Sequence, residues 1–243
     1  MQNNDIQMKG FVDIHHHLIY GLDDDGPQNF QETCAMLKAA QADGIVKIIA
    51  TPHVIPGIQP FPMDVYLSRI EEAREYCQHE GIQIEILIGA EILYTQMTTR
   101  YLNDKKIPTL ASTSYVLVEF PAAVSYAMLV DALWELIQNG YKPILAHAER
   151  YKCLLFRPRR TILLRKKLGV SLQINCATLQ KRGFASQRFY SRLFKMGAVD
   201  WVATDAHNIM NRRVAMKTAF GLVAKRYGKE YAVGFFGLFG ERF

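Results

Sequence analysis

The residues of this chain best able to do chemistry are histidines and carboxylates standing at the ends of short apolar runs. Phe11-Val-Asp-Ile-His15-His16-His17 is the densest of these stretches. In an extended strand successive side chains alternate faces, so His15 and His17 share one face, about 7 Å apart along the chain, and His16 takes the other. Two imidazoles on one face can hold one metal ion or bridge two. The arrangement recurs along the sequence. The run at 45–50 leads to His53, that at 82–88 to Glu91, and that at 115–118 to Glu119; the run at 143–146 leads to His147, and that at 200–203 to Asp205 and His207. Singly, each of these residues reads as a salt-bridge partner or a hydrogen-bonded core histidine. Jointly they form a pattern, because six of seven apolar runs end on a ligand-type residue. His79, followed by Glu80 and Gly81 in a charged helical stretch, is left on the surface.

Imidazole and carboxylate donors without thiolate suit Mn²⁺, Zn²⁺ or Fe in a working site more than a structural zinc. They outnumber the donors one ion can use, so a cluster of two or three ions follows, with Glu91 as a bridge. Such clusters generate a metal-activated hydroxide at neutral pH and clamp the oxygens of an in-line displacement. Arg150 and Arg212 (with Arg213 beside it) stand just past ligand segments, and the guanidinium fork matches phosphate oxygens bidentately. Ligands and arginines together argue a phosphoester hydrolase over an amide hydrolase. Cys153-x5-Arg159 and Cys176-x5-Arg182 match the bare spacing of cysteine-dependent phosphatases. That chemistry needs a glycine-rich loop to cradle phosphate and lower the thiol pKa. The intervening residues are bulky, and neither loop contains a glycine, so thiolate catalysis is set aside.

The elements that must position these residues alternate. Strands are expected at 11–14, 45–50, 82–88, 115–118, 143–146, 170–174 and 200–203. Helices are expected between Pro27 and Gly44 and at 63–80, 97–103, 125–139, 159–168, 186–196 and 212–227, most of them closed by a glycine. Such alternation argues a parallel sheet with helices outside, either a barrel or a doubly wound sheet. Barrels build their sites at the C-terminal ends of many strands, whereas an open sheet concentrates its site at one switch point. Ligands at nearly every strand end therefore favour a closed or nearly closed ring. Residues 1–10 read as a leader and 11–243 as a single domain; the Phe- and Gly-rich stretch 228–243 has no reading.

Hydrophobic residues make up 49% and charged residues 21% of the 243, as in a globular protein with a substantial core. No apolar run reaches the ~18 residues of a membrane-spanning helix. The first residues lack a basic and an apolar signal region, which makes the cytoplasm the expected location. Four scattered cysteines read as free thiols. The net charge of +6 is uneven: residues 150–199 hold thirteen Lys and Arg and no Asp or Glu. Solvated helix faces account for such a stretch, as does attraction of an anionic partner. Aromatic interleaving of the nucleic-acid kind is weak, and no nucleic-acid partner is expected.

Seven segments, in order, resemble the motifs of the polymerase-and-histidinol-phosphatase (PHP) superfamily: Asp13-Ile-His-His-His17, Asp23-Asp-Asp-Gly-Pro27, Thr51-Pro-His53, Gly89-Ala-Glu-Ile92, Leu117-Val-Glu-Phe120, Ala146-His-Ala-Glu-Arg-Tyr151 and Thr204-Asp-Ala-His-Asn208. More narrowly, the chain resembles the bacterial manganese-dependent protein-tyrosine phosphatases of capsule and exopolysaccharide operons. Ile107-Pro-Thr-Leu110 and the His-x-Glu-Arg-Tyr segment favour that branch over histidinol-phosphate and other small phosphomonoester phosphatases, which stand as the alternative.

The resemblance implies a distorted seven-stranded TIM-like (β/α)7 barrel and two or three divalent ions, Mn first, with Fe, Zn, Co and Mg compatible. It implies His15, His17, Glu91 and Asp205 for one ion and Glu91, Glu119 and His147 for a second. His53, His207 and an aspartate of the 23–25 loop would serve a third. Counting forward from His17 selects Asp24 and counting back from Gly26 selects Asp25; the expectation is Asp24. Arg150 and Arg212 would hold phosphate, a metal-activated hydroxide would attack in line without a phosphoenzyme, and His207 or Asp205 would assist the leaving group. The implied substrate is phosphotyrosine on the acidic tail of a partner tyrosine kinase, which would also provide any peripheral membrane association. A homo-oligomer is left open. In three places the chain departs from the family: His16 stands where the family has a small residue, three aspartates rather than two precede Gly26, and the Phe/Gly tail replaces an Asn-Pro segment.

Overall fold

The computed structural model describes residues 10–155, 157–181 and 184–237; the leader at 1–9, Arg182 of the second cysteine motif and residues 238–243 lie outside the described residues. Nine short strands are present among the described residues: β1 Phe11–His16, β2 Ile45–Ala50, β3 His53–Val54, β4 Glu85–Ile88, β5 Glu91–Leu93, β6 Tyr115–Glu119, β7 Lys142–Leu145, β8 Ser171–Asn175 and β9 Trp201–Ala203. All pair in parallel and in chain order, β1-β2-β4 in one sheet and β3-β5-β6-β7-β8-β9 in the other. A parallel bridge between His16 and Ala206 returns the end of the last strand to the first. There the Asp205 N–H donates to the His15 carbonyl and the His17 N–H to the Ala206 carbonyl, each at 2.9 Å.

The nine strands occupy seven positions of a curled ring, because the strands expected at 45–50 and 82–88 (the latter starting at Glu85) each continue past a break. The path of β2 stops at Ala50 and resumes at His53; that of β4 stops at Ile88 and resumes at Glu91. Pro52, in the first break, has no N–H for the ladder. At Gly89, in the second, an added Cβ would stand 2.7 Å from Ile49 Cγ2, so only glycine allows the approach. The buried Tyr66 hydroxyl fills the gap, donating to the Ala50 carbonyl at 2.8 Å and accepting from the Gly89 N–H at 3.0 Å. The ladder then restarts with His53 directly opposite Glu91.

Helices cover the outside. Phe30–Ala42 starts three residues after Pro27, because the Asn29 side chain caps it by accepting from the Glu32 N–H at 3.0 Å. Met63–Glu80 ends at left-handed Gly81, and Tyr126–Gln138 is capped by Ser125. The last long helix begins at Met216 rather than 212. The Asn208 side-chain oxygen gathers the N–H groups of Met210, Asn211 and Arg212 into a turn, and Asp43 accepts from the N–H groups of Met216 and Lys217. Inside the ring, Val12, Ile14, Ile49, Leu117, Ile144 and Trp201 form an apolar plug.

The tail closes the opposite end of the ring from the ligands. After the helix Lys229–Val233, the Phe235 carbonyl accepts from Val202 N–H at 2.8 Å and the Phe236 carbonyl from Val12 N–H at 3.1 Å. The chain thus wedges between β1 and β9, with the buried Phe236 ring against Phe11 and Phe220. Among the described residues, no helix is long and apolar enough to cross a membrane.

Candidate metal centre

The strand-end histidines and carboxylates meet at one mouth of the ring. Between Asp13 and His16, three steps along β1 match two along β2, a bulge of the kind that re-aims side chains beside active sites. His15 Nε2 and His17 Nε2 end 3.2 Å apart. Both face Glu91 Oε2, at 3.1 and 3.2 Å, and Asp205 Oδ1, at 3.4 and 3.6 Å. Asp205 and His147 have positive φ, 55° and 31°. Each of these left-handed conformations costs about 1–3 kcal/mol, and both occur where a strand ends and a ligand must turn inward.

Three sets of donors can each surround an ion: His15, His17, Glu91 and Asp205; His17, His53 and His207; and His53, Glu91 and Glu119. His147 Nε2 joins the third through Glu91 Oε1 at 2.8 Å and Glu119 Oε2 at 3.4 Å. Glu91 is thus central, as a bridge should be, and His53 also stands between two sets. One donor atom supports metal occupancy: His207 Nε2 is buried without a hydrogen-bond partner, an arrangement that costs free energy unless a ligand completes it. Nitrogen and carboxylate donors without sulfur suit Mn, Fe, Zn or Co.

The aspartate loop differs from expectation. Asp24 and Asp25 are both exposed and neither belongs to the three sets, but the two residues flanking Asp24 reach histidines of the site. Asp23 Oδ2 holds His17 Nδ1 at 2.9 Å and its Oδ1 accepts from the His53 N–H at 2.7 Å, while Asp25 Oδ1 lies 3.4 Å from His207 Nε2. Asp25 pairs with His207 where Asp24 was expected to, and Asp24 lines the adjoining cleft. Both arginines converge on the same site. Arg150 Nη2 donates to Asp205 Oδ2 at 2.6 Å; Arg212 spans Asp205 Oδ1 at 2.7 Å and Asp25 Oδ2 at 2.6 Å.

The electrostatics are those of a cluster built around anions. Burial opposes the imidazolium of His17, but Asp23 and Glu91 outweigh it and hold the group up at about 10. Burial likewise opposes a charged His147, which Glu119 and Glu91 hold at about 9. His207 goes the other way: burial, then the charges of His17 and Arg212, push it down to about 2. Burial favours a protonated Asp205, yet His15, His17 and Arg212 keep its carboxyl well below the usual range. Without ions, burial and neighbouring charge thus favour a neutral His207 and an ionised Asp205. Burial lowers His16 to about 3; it is neutral, buried and outside all three sets. Burial raises the Cys153 and Cys176 thiols, which opposes thiolate chemistry.

Several residues take roles in the site that the sequence did not assign to them. Asp13 binds the Thr204 N–H and hydroxyl and ties β1 to the end of β9. Asp23 orients two ligands. Gln173 and Asn175 lie buried on β8 among the ligands; their signal was the alternation of Ser171, Gln173 and Asn175 with Leu172 and Ile174. A cleft of about 470 Å³ opens from His53 and Glu119 between the aspartate loop and an apolar wall of Ile55, Pro60, Phe61 and Pro62.

A curled (β/α)7 ring with a shared-donor centre at its C-terminal mouth and two arginines beside it is the architecture of the PHP-type metallohydrolases. Within that class the chain belongs to the capsular polysaccharide synthesis family CpsB/CapC, which residues 11–238 match. It is 31% identical over 227 residues to the tyrosine-protein phosphatase CpsB of Streptococcus pneumoniae, covering 91% of this chain and 93% of that protein. It also resembles a crystal structure of the metal-dependent tyrosine phosphatases YwqE of Bacillus subtilis and CpsB of Streptococcus pneumoniae. That likeness has a TM-score of 0.81 and 28% identity, over 91% of this chain and 89% of that one. A histidinol phosphate phosphatase of Lactococcus lactis shares the fold at a TM-score of 0.58 and 17% identity, over 93% and 94% of the two chains.

Proposed function

We propose that this protein is a metal-dependent protein-tyrosine phosphatase acting on a capsule or exopolysaccharide tyrosine kinase in the cytoplasm. The observation that carries the reading is the convergence of Arg150 and Arg212 on Asp205, which sets two phosphate-matching forks at the rim of the donor cluster. His15, His17, Glu91 and Asp205 would hold one divalent ion, with Glu91, Glu119, His53 and His147, and His53, His207 and Asp25, completing the set; Mn is the first candidate. When bound, the ions supply activated water at neutral pH and positive charge opposite the phosphate.

The chain's own residues do the rest. Arg150 and Arg212 take non-bridging phosphate oxygens as charge grows on them. Asp205 anchors both guanidinium groups and keeps them from folding away. The apolar wall Ile55, Pro60, Phe61 and Pro62 borders the cleft next to His53 and Glu119 and receives the aryl leaving group. A phenolate, with a pKa near 10, departs without strong acid assistance, in keeping with an ionised Asp205 and a neutral His207. Lys152, Arg157, Arg159, Lys166 and Lys167 are exposed and supply positive charge that would draw an acidic kinase tail and leave membrane association to the kinase itself.

The test is phosphate release from phosphotyrosine peptide, phosphoserine peptide and histidinol phosphate, with and without chelator, paired with metal content by mass spectrometry. Two or three ions per chain with chelator-sensitive, phosphotyrosine-selective release are expected. Release from histidinol phosphate alone would move the function to the sister branch; no metal and no release would end the enzyme reading.

A further inference from the structure

Strand β8 is the one position of the ring that carries no expected ligand, yet its Gln173 and Asn175 side chains are buried inside the site. Being two apart, they share a face, while Leu172 and Ile174 pack into the apolar layers outside the ring. Gln173 Oε1 lies 2.6 Å from the His147 backbone nitrogen and 3.2 Å from His15 Nδ1. A backbone N–H can only donate, so the Gln173 atom is the amide oxygen, and the His15 nitrogen facing it must carry the proton. That leaves His15 Nε2 with its lone pair toward Glu91 and Asp205. The Gln173 amide nitrogen donates to Asn175 Oδ1 at 2.7 Å, and the Asn175 amide nitrogen donates to Asp205 Oδ2 at 2.6 Å. The Asn175 backbone N–H is held by Glu149 Oε1 at 3.0 Å. One directed chain of hydrogen bonds thus joins three expected ligands, His15 on β1, His147 after β7 and Asp205 after β9.

We propose that Gln173 and Asn175 are positioning residues of the centre. Gln173 sets the tautomer of His15 and anchors the left-handed backbone of His147; Asn175 holds Asp205 Oδ2 so that Oδ1 faces the imidazoles. The inference rests on reading the cluster as a metal site. Partners that fix a ligand's tautomer and orientation change metal affinity or activity by about 10- to 100-fold when removed. A residue that merely filled space would be replaceable by any side chain of similar volume.

The experiment compares the full chain with Gln173→Leu, Gln173→Glu and Asn175→Ala by chelator competition for Co²⁺ and by the visible spectrum of the cobalt-loaded protein, alongside kcat and KM. Gln173→Leu is expected to weaken cobalt binding about 10- to 100-fold, alter the spectrum and lower kcat more than it raises KM. Gln173→Glu keeps an oxygen that accepts from both His15 and His147 but loses the donor to Asn175 Oδ1, so it is expected to recover the affinity only in part. Asn175→Ala is expected to perturb the spectrum independently, so a poorly folding Gln173→Leu still leaves a reading. Affinity and spectrum equal to the parent's in Gln173→Leu, or in Asn175→Ala should Gln173→Leu misfold, would overturn the proposal. A parent protein that binds no cobalt would instead remove the metal reading itself.

Discussion

Arg150 Nη2 stands 2.6 Å from Asp205 Oδ2, so a side chain expected on phosphate is tethered to one expected on metal. The pair lets the anion that organises the ions also aim the cation that meets the substrate. Lysine carries the charge but not the planar fork. Arg150→Lys is expected to lower kcat/KM for an aryl phosphate about 100-fold, the scale of losing one donor at a developing anion, with metal content per chain unchanged. A loss of bound metal in this variant would mean that the arginine acts through Asp205 rather than on phosphate.

The aspartate loop separates two neighbouring residues of the same type. Both are exposed, but Asp25 pairs with His207 and Arg212 whereas Asp24 lines the cleft beside them. Asp25→Asn is expected to lower metal content by up to one ion per chain and to reduce turnover at least 10-fold, on the scale of a lost ligand or its partner. Asp24→Asn is expected to change turnover less than 2-fold, as surface substitutions usually do. Mass spectrometry of the two purified variants decides it, and the reverse ranking would restore the forward count from His17.

Tyr66 bridges the interrupted ladder between Ala50 and Gly89. Tyr66→Phe keeps the ring and removes the hydroxyl, leaving a buried N–H and carbonyl unsatisfied. A cost of about 1–3 kcal/mol follows for each such group, which in a chain of this size lowers the melting temperature by about 2–4 °C per kcal/mol. Because His53 and Glu91 restart the ladder just beyond the break, metal affinity should fall along with stability. Calorimetry on the metal-free and loaded forms measures both, and an unchanged melting temperature would show that the break needs no stitch.

The sequence made most of the ring and most of the centre legible for one physical reason. Parallel strands buried on both faces read as apolar runs, so a His, Glu or Asp at the end of such a run stands out. His53, Glu91, Glu119, His147, Asp205 and His207 were visible in this way, as were helix ends at Gly81 and Gly140. What stayed hidden depends on contacts between distant segments. Nothing local to Tyr66 says that its hydroxyl will meet Ala50 and Gly89, and the tail's Phe235 and Phe236 carbonyls find partners on Val202 and Val12, far away in sequence. The choice among Asp23, Asp24 and Asp25 turned on the direction of a three-residue turn, which spacing does not encode. Gln173 and Asn175 were visible as polar residues in a strand, but their partners lie on three other segments.

His17 and His147 make the centre pH-dependent in a direction that can be worked out. Both imidazoliums are held above their ordinary value of 6.5, to about 10 and about 9, by neighbouring carboxylates that outweigh burial. In the metal-free protein the stability they contribute is fully present below pH 6.5 and is lost as pH rises through about 9 and then about 10. Metal ligation requires the neutral imidazole, so loading ions at pH 7.5 must expel protons that the metal-free fold retains. About two protons per chain are expected from these residues, read from titration calorimetry in two buffers of different ionisation enthalpy. Metal affinity should rise with pH across the same range, and the alkaline loss of stability should disappear once ions replace the protons. Identical heats in the two buffers would mean that the histidines are already neutral and that carboxylate charge alone assembles the site.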